Sequence, residues 1–405
     1  MNESVPSVPS VPTRYTTTHS AVEPLSPDQL AQLEHMWNPL YAACQQRIVP
    51  GASAAIYWQG HCLYKAIGWA VDTADRQIPA NTDTIYDCAS LTKVVVTLPL
   101  ILTLVQRGIL ELDRPVSVDM AELRTGPYQQ ITLRQLLSHT SGLPAIADFY
   151  SGTVLTMPEA IQTISQMPPA YATGQACMYS DPGFMLLGEL FTRVSGLPLP
   201  AGAAQYIWEP LHMKQSLFVP AKSHIANIAA TEYDRPTGSH LQGIVHDENA
   251  RALGGICGHA GLFATASDLL RYAAYWLNAV SGSMIDDPSE LSHVSPPALS
   301  LSDRLLQEAV TRQTPPLPGT RRGLGWVLQG DDADVSGPSF STAAFGHTGF
   351  TGTSIQIDPQ QQLAIVLLTN RVHYGRRQSI QQLRRDFHTA VSSALHDRTA
   401  PSSSH

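Results

Sequence analysis

Charge is scarce in this chain. Asp, Glu, Lys and Arg make up only 14% of its 405 residues, against about 25% in an average globular protein. Acidic residues outnumber basic ones by 33 to 25, for a net charge of −8 with histidine neutral. No Lys/Arg stripe interrupts that balance, which argues against a nucleic-acid partner. Cysteine is scarce too. Cys44, Cys62, Cys88, Cys177 and Cys257 are odd in number and widely spaced, with no C-x-x-C pair. That excludes a disulfide framework and a zinc ribbon. The N-terminus lacks the charged and apolar regions of a signal peptide. The most apolar run, Val94 to Val105, falls far short of the roughly 20 residues that span a bilayer. A reduced, cytoplasmic protein without a membrane span is expected. Walker A, dinucleotide-fingerprint and G-x-S-x-G motifs are absent. So are H-E-x-x-H and H-x-H-x-D-H, and neither metal nor cofactor is expected.

What the chain does contain is a large core's worth of apolar residues, 43% of the total, enough for a sizeable folded unit. Residues 1–25 repeat Ser-Val-Pro and then turn Ser/Thr-rich; this composition predicts a disordered segment. Structure is expected to begin at Ser26-Pro27-Asp28-Gln29, a capping box with proline in the first helical position. Leu30, Leu33, Met36, Trp37 and Leu40 follow at helical spacing. Ala52–Trp58 and His61–Trp69, separated by Gln59-Gly60, predict a β-hairpin. A long apolar helix starts near Ser90 and must bend at Pro99. Residues 110–280 read as mostly helical, including Ala266–Ala279 capped by Thr265, and the Ser/Pro-rich residues 281–320 as a surface excursion. Strand patterns return at Gly323–Gln329, Thr351–Ile357 and Gln361–Leu368, and Ser379–Leu395 closes as an amphipathic helix. Strands at both ends around a helical insertion predict one sheet assembled from the two termini, beside a helical lobe.

Three short constellations bear chemistry. In Ser90-Leu91-Thr92-Lys93, Ser90 and Lys93 share a helix face. A serine hydroxyl needs a base to become nucleophilic, and apolar neighbours are expected to desolvate Lys93 and depress its pKa. Tyr179-Ser180-Asp181-Pro182-Gly183 is a turn by its chemistry. Gly346-His347-Thr348-Gly349-Phe350-Thr351-Gly352 is a glycine-rich link between strand patterns. Singly, each is an ordinary structural feature. A fourth block runs from Val245-His246-Asp247-Glu248-Asn249-Ala250 to Gly258-His259-Ala260-Gly261. It holds metal-ligand residue types, although a hydrogen-bonded loop is the simpler reading. Arg321-Arg322, ahead of a strand, read as a solvated pair, with contact to an anionic substrate as the alternative.

In order along the chain, S-x-x-K, Tyr-x-Asp about ninety residues on and a late His-Thr-Gly resemble the serine β-lactamase and penicillin-binding-protein superfamily. The likeness is to its class C-like branch of lactamases, D-Ala carboxypeptidases and family VIII esterases. Leu136-Leu137-Ser138-His139-Thr140-Ser141-Gly142-Leu143-Pro144 is common in that branch. The Val245–Ala250 block and Thr369-Asn370-Arg371-Val372-His373 resemble a sub-branch of N-acetylmuramyl-L-alanine amidases and penicillin-binding protein 4B-like carboxypeptidases. The resemblance covers roughly residues 45–390.

It implies an α/β fold of the α+β kind: a mostly antiparallel sheet flanked by helices, plus an inserted all-helical lobe. Residues 26–395 would form the hydrolase domain, with the sheet lobe from 26–90 and 320–395, the helical lobe over 91–280, and a flexible tail at 396–405. It also implies roles. Ser90 would be acylated, Lys93 would assist its deprotonation and Tyr179 would act as general base. The N–H groups of Ser90 and Phe350 would form an oxyanion hole. Asp181, His347, Thr348 and Gly349 would meet substrate, as would Asp247, Glu248 and His259 if they line the cleft. Lactamases of this branch carry Asn and Lys where this chain has Asp181 and His347. Both differences reduce positive charge and weaken recognition of a β-lactam carboxylate. The expected function is a metal-independent serine hydrolase of small molecules that cleaves an amide or ester, with a cell-wall-derived muropeptide as preferred substrate. A promiscuous short-chain esterase and a catalytically silent binding or scaffold protein are the alternatives.

Overall fold

The computed structural model describes residues 8–18, 22–150, 156–281 and 301–399. An eight-stranded antiparallel sheet runs through its centre. Across the sheet the strands are Arg14–Thr17, His61–Asp72, Gly51–Trp58, Leu363–Thr369, Ser354–Asp358, Phe345–Thr348 and Val327–Leu328, with Gln77–Pro79 paired to the end of His61–Asp72. The N-terminal and C-terminal strands join where Gly51–Trp58 meets Leu363–Thr369, in a register that opposes Ile56 to Ile365. The expected hairpin is present, and its turn residues Gln59 and Gly60 both have positive φ, 47° and 88°. A two-residue turn of this kind matches the right-handed strand twist, and Gly60 takes up such a backbone without strain.

Period-two alternation divides the sheet's apolar residues between two cores. Ala54, Ile56, Leu63, Ile67, Ile365 and Leu367 face one way, against the helices Pro27–Leu33, Asn38–Gln45 and Gln381–Thr399. Ala55, Tyr57, Ala66, Ala364, Val366 and Ile355 face the other, against the helix Ala266–Ser281 and the helical region beyond. The Ser26 capping box forms as expected, with Ser26 Oγ accepting from Gln29 N–H and Gln29 Oε1 from Ser26 N–H. Phe387, Val391 and Leu395 bury the apolar stripe of the closing helix.

Several expectations need correction. Residues 1–25 are not uniformly without structure. Arg14–Thr17 pairs with His61–Tyr64, and Val11 N–H donates to Ala66 O. The long strand His61–Asp72 would otherwise present an open edge, and even a polar segment can satisfy a row of unpaired backbone groups. The region 91–280 is not all helical. Leu262–Ala264 and Leu217–Phe218 are strands that join Tyr86–Asp87, just before it, in a small antiparallel sheet, too short for periodicity to reveal. Residues 282–300 of the expected excursion lie outside the described residues, but Asp303–Ala309 is a helix that buries Leu305, Leu306 and Ala309. The closing helix runs to Thr399, beyond the expected start of a tail at 396. The apolar helix handles Pro99 through a π turn over Lys93–Thr97, in which Leu98 N–H reaches Lys93 O, so the α-helix Leu98–Gln106 begins anew around the proline. Phe345–Thr348, at the start of the glycine-rich stretch, is a strand that carries His347, and the link itself follows at 349–353.

Candidate active site

Ser90 follows a tight turn after the Tyr86–Asp87 strand. The turn passes through Ala89 at φ 46°, a left-handed conformation that a residue with a Cβ adopts only under constraint. The constraint is visible: buried Asp87 accepts the Ala89 N–H through Oδ1 at 2.9 Å and the His246 N–H through Oδ2 at 2.6 Å. Burial pushes the Asp87 carboxyl up, against the pull of those two N–H donors. From the turn the chain enters the π segment, and Lys93 comes back beneath Ser90 with Nζ 3.2 Å from Ser90 Oγ.

Lys93 is fully buried, and its surroundings are not the purely apolar ones expected. Nζ lies 2.7 Å from Asp181 Oδ1 and donates to His259 O at 3.2 Å. It also stands 4.7 Å from the centroid of the Tyr179 ring. Burial alone would depress its pKa. The Asp181 carboxylate and Tyr179 outweigh burial, so the net shift is upward, which reverses the expectation. Asp181 occupies this position because it opens the helix Asp181–Ser195, with Ser180 as the N-cap accepting from Gly183 N–H.

Tyr179 precedes that cap, and its phenolic oxygen is buried without a hydrogen-bond partner. Aromatic rings hold it: His139 lies 4.6 Å away and His347 5.9 Å, centroid to centroid. His139, at φ 60°, accepts Ser180 N–H at Nδ1. Its other nitrogen must then carry the proton if the ring is neutral, and burial first, then Arg322 and Lys93, hold its pKa well below the ordinary value. No role was foreseen for His139, although the Leu136–Pro144 stretch that contains it was the available signal.

On the opposite wall, the strand Phe345–Thr348 carries His347, and the following loop is stitched to the Ser90 turn. Thr351 Oγ1 donates to Asp87 O at 2.8 Å and Thr353 Oγ1 to Cys88 O at 3.1 Å. Gly349 lies so close that a Cβ there would sit 2.5 Å from Cys88 O. Among the described residues neither the Ser90 nor the Phe350 N–H has a backbone partner. His347 faces Thr348 O through Nδ1 at 2.9 Å and leaves Nε2 buried and unpartnered. Burial, followed by Lys93 and Arg322, keeps this imidazole well below its ordinary pKa and therefore neutral.

Ser90, Tyr179, His347, Thr348, Gly349 and Phe350 all border one cavity of about 520 Å³. Asp181, Asp247, Glu248 and His259, expected to meet substrate, are not among its walls. They belong to ion pairs, and the partner of Glu248, Arg376, itself borders the cavity. Asp247 caps the helix Glu248–Ala252 by accepting Ala250 N–H and pairs with His259 Nε2 at 2.9 Å. Burial opposes both charges, yet the pairing holds Asp247 below and His259 well above their ordinary values. Glu248 pairs with Arg376, which also binds Glu232. His246 joins Glu232 at 2.9 Å and stacks on Phe350. Asn249 bridges Phe149 N–H and Ala147 O.

Asp181, Asp247 and His259 bring ligand-type atoms within 4.8 Å of one another, a tighter set than the sequence suggested. Lys93 and His259 already balance the two carboxylates, charge for charge. Arg322 was read as half of a solvated pair. It is instead buried, borders the cavity and stands 5.6 Å from the Tyr179 ring centroid.

The family model described as beta-lactamase matches residues 33–389. The N-acetylmuramyl-L-alanine amidase of Bacillus subtilis (strain 168) is 31% identical over 358 residues, 80% of this chain and 78% of that protein. A provisionally named D-alanyl-D-alanine carboxypeptidase of Salmonella typhi is 28% identical over 387 residues, 86% of this chain and 85% of that one. Among solved structures, EstCE1, a hydrolase with promiscuous acyltransferase activity, superposes with a TM-score of 0.71 at 19% identity, covering 91% of this chain and all of that one (100%). A class C beta lactamase from Rhodobacter sphaeroides does so with a TM-score of 0.66 at 18% identity, covering 91% of this chain and 99% of that one. At such identities the two structures speak for the fold alone.

Proposed function

Because the chain belongs to the β-lactamase family of hydrolases, we propose that it works through an acyl-enzyme on Ser90 and cleaves the amide bond of a cell-wall-derived muropeptide. The observation that carries this reading is the convergence of Ser90 Oγ, Lys93 Nζ and the Tyr179 phenol, with Nζ 3.2 Å from Oγ and 4.7 Å from the phenol ring.

Ser90 Oγ attacks the substrate carbonyl while its proton passes to Tyr179, which enters this step as the phenolate and leaves it as the neutral phenol. Lys93 stays protonated, because Asp181 holds its charge, and acts as a fixed cation beside both oxygens rather than as the base. Negative charge moves to the carbonyl oxygen, which accepts hydrogen bonds donated by the N–H groups of Ser90 and Phe350. A single donor of this kind is worth about 2.7–4 kcal/mol in the transition state. Tyr179 then delivers the proton to the leaving nitrogen as the C–N bond breaks. Water attacks the ester by the reverse path, giving the free acid and restoring Ser90. Thr348 and Gly349 line the strand edge along which substrate lies.

The similarity to an amidase over four-fifths of the chain supports the muropeptide class. Among the described residues no helix is long and apolar enough to cross a membrane. The five cysteines are all free, which supports a cytoplasmic place of action. The test is one purified sample assayed on muropeptides, D-Ala-D-Ala peptides, p-nitrophenyl esters and a chromogenic cephalosporin. Muropeptides should give the highest kcat/KM. Activity confined to the esters would replace this reading with that of a short-chain esterase, and inertness toward all four would favour a binding protein.

A further inference from the structure

Arg384 is a buried charge that the reaction above leaves unused. It is only 6% exposed and lies in the opening turn of the helix Gln381–Thr399, where the helix dipole disfavours a cation. Among the described residues no carboxylate offsets its charge, and its Nε is buried without a partner. Burial, then Arg371, pushes its pKa down to about 9, so the guanidinium stays charged at neutral pH. Neighbouring arginines do have acidic partners: Arg376 binds Glu232 and Glu248, and Arg322 has Asp331 Oδ1 at 3.6 Å. A buried cation without a counter-ion carries a desolvation cost that an apolar side chain of similar size would not.

What the charge touches is specific. Arg384 Nη2 donates to Gly349 O at 2.7 Å and to Thr353 O at 2.9 Å. Gly349 O belongs to the same peptide group as the Phe350 N–H. In a trans peptide the C=O and N–H point to opposite sides. A cation on the oxygen therefore withdraws electron density from the N–H and makes it a stronger donor, as in any polarised chain of hydrogen bonds. Other contacts fix the same peptide. Gly352 N–H closes a turn onto Gly349 O at 3.1 Å, and Arg371 Nε donates to Phe350 O at 2.6 Å. The Arg371 guanidinium also lies 4.3 Å over the Phe350 ring, which is 47% exposed and so is not anchored by burial.

We infer that Arg384 is a positioning residue of the oxyanion hole: through Gly349 O it orients and polarises the peptide whose N–H, at Phe350, meets the negative charge of the transition state. This rests on the acyl-enzyme reading and deepens it. The counter-ion of Arg384 is then the oxyanion itself, which exists only while a substrate reacts. An interaction made in the transition state and not in the ground state acts on kcat and leaves KM alone.

The probe is p-nitrophenyl cinnamate, uncharged in both halves, with an isotopically labelled carbonyl. Its hydrolysis, and the infrared band of the acyl carbonyl in the trapped acyl-enzyme, are measured for wild type, Arg384→Lys, Arg384→Met, Arg384→Gln and Ser90→Ala. Lysine keeps a charged donor at this place; methionine and glutamine, two neutral variants in case one does not fold, do not. Cooperative strengthening of about 10–30% per bond, applied to a donor worth about 10²–10³ in kcat, predicts a fall of about two- to eightfold in kcat for the neutral variants at unchanged KM. Arg384→Lys should lose less. In wild type the carbonyl band should lie below that of the acid-denatured adduct, and the neutral variants should move it back toward the denatured position. A wild-type band and kcat in the neutral variants would overturn the assignment. So would a loss confined to KM, which would make Arg384 a binding residue, or a loss in Arg384→Lys as large as in Arg384→Met. Turnover or acylation that persists in Ser90→Ala would instead refute the acyl-enzyme itself.

Discussion

Two sets of polar groups meet at Lys93, and they differ in whether their charges are paired within the protein. On one side, Lys93 with Asp181, Asp247 with His259, and Arg376 with Glu232 and Glu248 are ion pairs in which each charge faces an opposite one. In front of Lys93, the Tyr179 hydroxyl, His347 Nε2 and Arg322 Nη1 are buried and unpartnered on residues that border the cavity. Buried polar atoms are ordinarily paired, since leaving one unmade costs about 1–3 kcal/mol. A substrate in the cavity can supply those partners. The ion-paired side holds the geometry and the cavity side uses it. Substitutions on the ion-paired side should then cost stability, and those on the cavity side should cost turnover.

The sharpest break is expected at Ser90. Ser90→Ala should lower turnover by at least about 10⁴-fold, as for loss of a nucleophile elsewhere, with the melting curve unchanged. Intact-mass spectrometry after a fluorophosphonate should show one adduct on wild type and none on the mutant; an adduct on another serine would move the active site. Next are Lys93→Ala and Tyr179→Phe. Each should lose about 10³-fold, and the double mutant hardly more, because groups in one proton-transfer unit are strongly non-additive. Multiplying losses would separate the two residues. Tyr179→Phe also tests the comparison, since its hydroxyl has no partner to lose: its stability in urea should stay within about 1 kcal/mol of wild type.

Asp181→Asn should do the opposite on the stability axis. Lys93 is fully buried, and removing the partner of a buried charge costs about 3–5 kcal/mol. The side chain of Asp181 is 21% exposed, so the lower end of that range is expected in urea denaturation. A change below about 1 kcal/mol would mean that the pair does not hold the site together.

A smaller effect is expected in acid. Hydrogen bonding from His246, opposed by burial and aided by Arg376, lowers the Glu232 carboxyl from 4.5 to about 2. A depressed carboxyl contributes stability that is complete above its unfolded value and fades as pH falls through the folded one. Glu232→Gln should therefore flatten the acid limb of stability between about pH 4.5 and pH 2, and leave its slope unchanged above that window. The smallest effect is expected from chelation. Lys93 and His259 already balance Asp181 and Asp247, so EDTA should leave activity intact. A loss restored by zinc would establish Asp181, Asp247 and His259 as a metal site.

Much of this arrangement was legible before any coordinates. The capping box at Ser26, the Gln59-Gly60 turn and the closing helix are local patterns, and each formed, the helix with its bounds shifted toward the C-terminus. Ser90 and Lys93 lie three residues apart, so their proximity follows from helical geometry. Their companionship with Tyr179 and His347 came from resemblance. It could not have come from spacing, because roughly ninety and 250 residues of chain intervene.

The misreadings share a cause. The raised Lys93, the buried Arg322, the ring of His139 under Tyr179 and the Asp247–His259 pair all depend on a partner distant in sequence. Apolar neighbours in sequence suggested a desolvated lysine, whereas in space an aspartate 88 positions later sits 2.7 Å away. What the sequence alone determined was the period of each segment, the chemistry available and the order in which it occurs. Which charges neutralise each other, and which are left facing the cavity, was decided by tertiary structure. Electrostatic energy depends on distance and burial, and neither is a property of position along the chain.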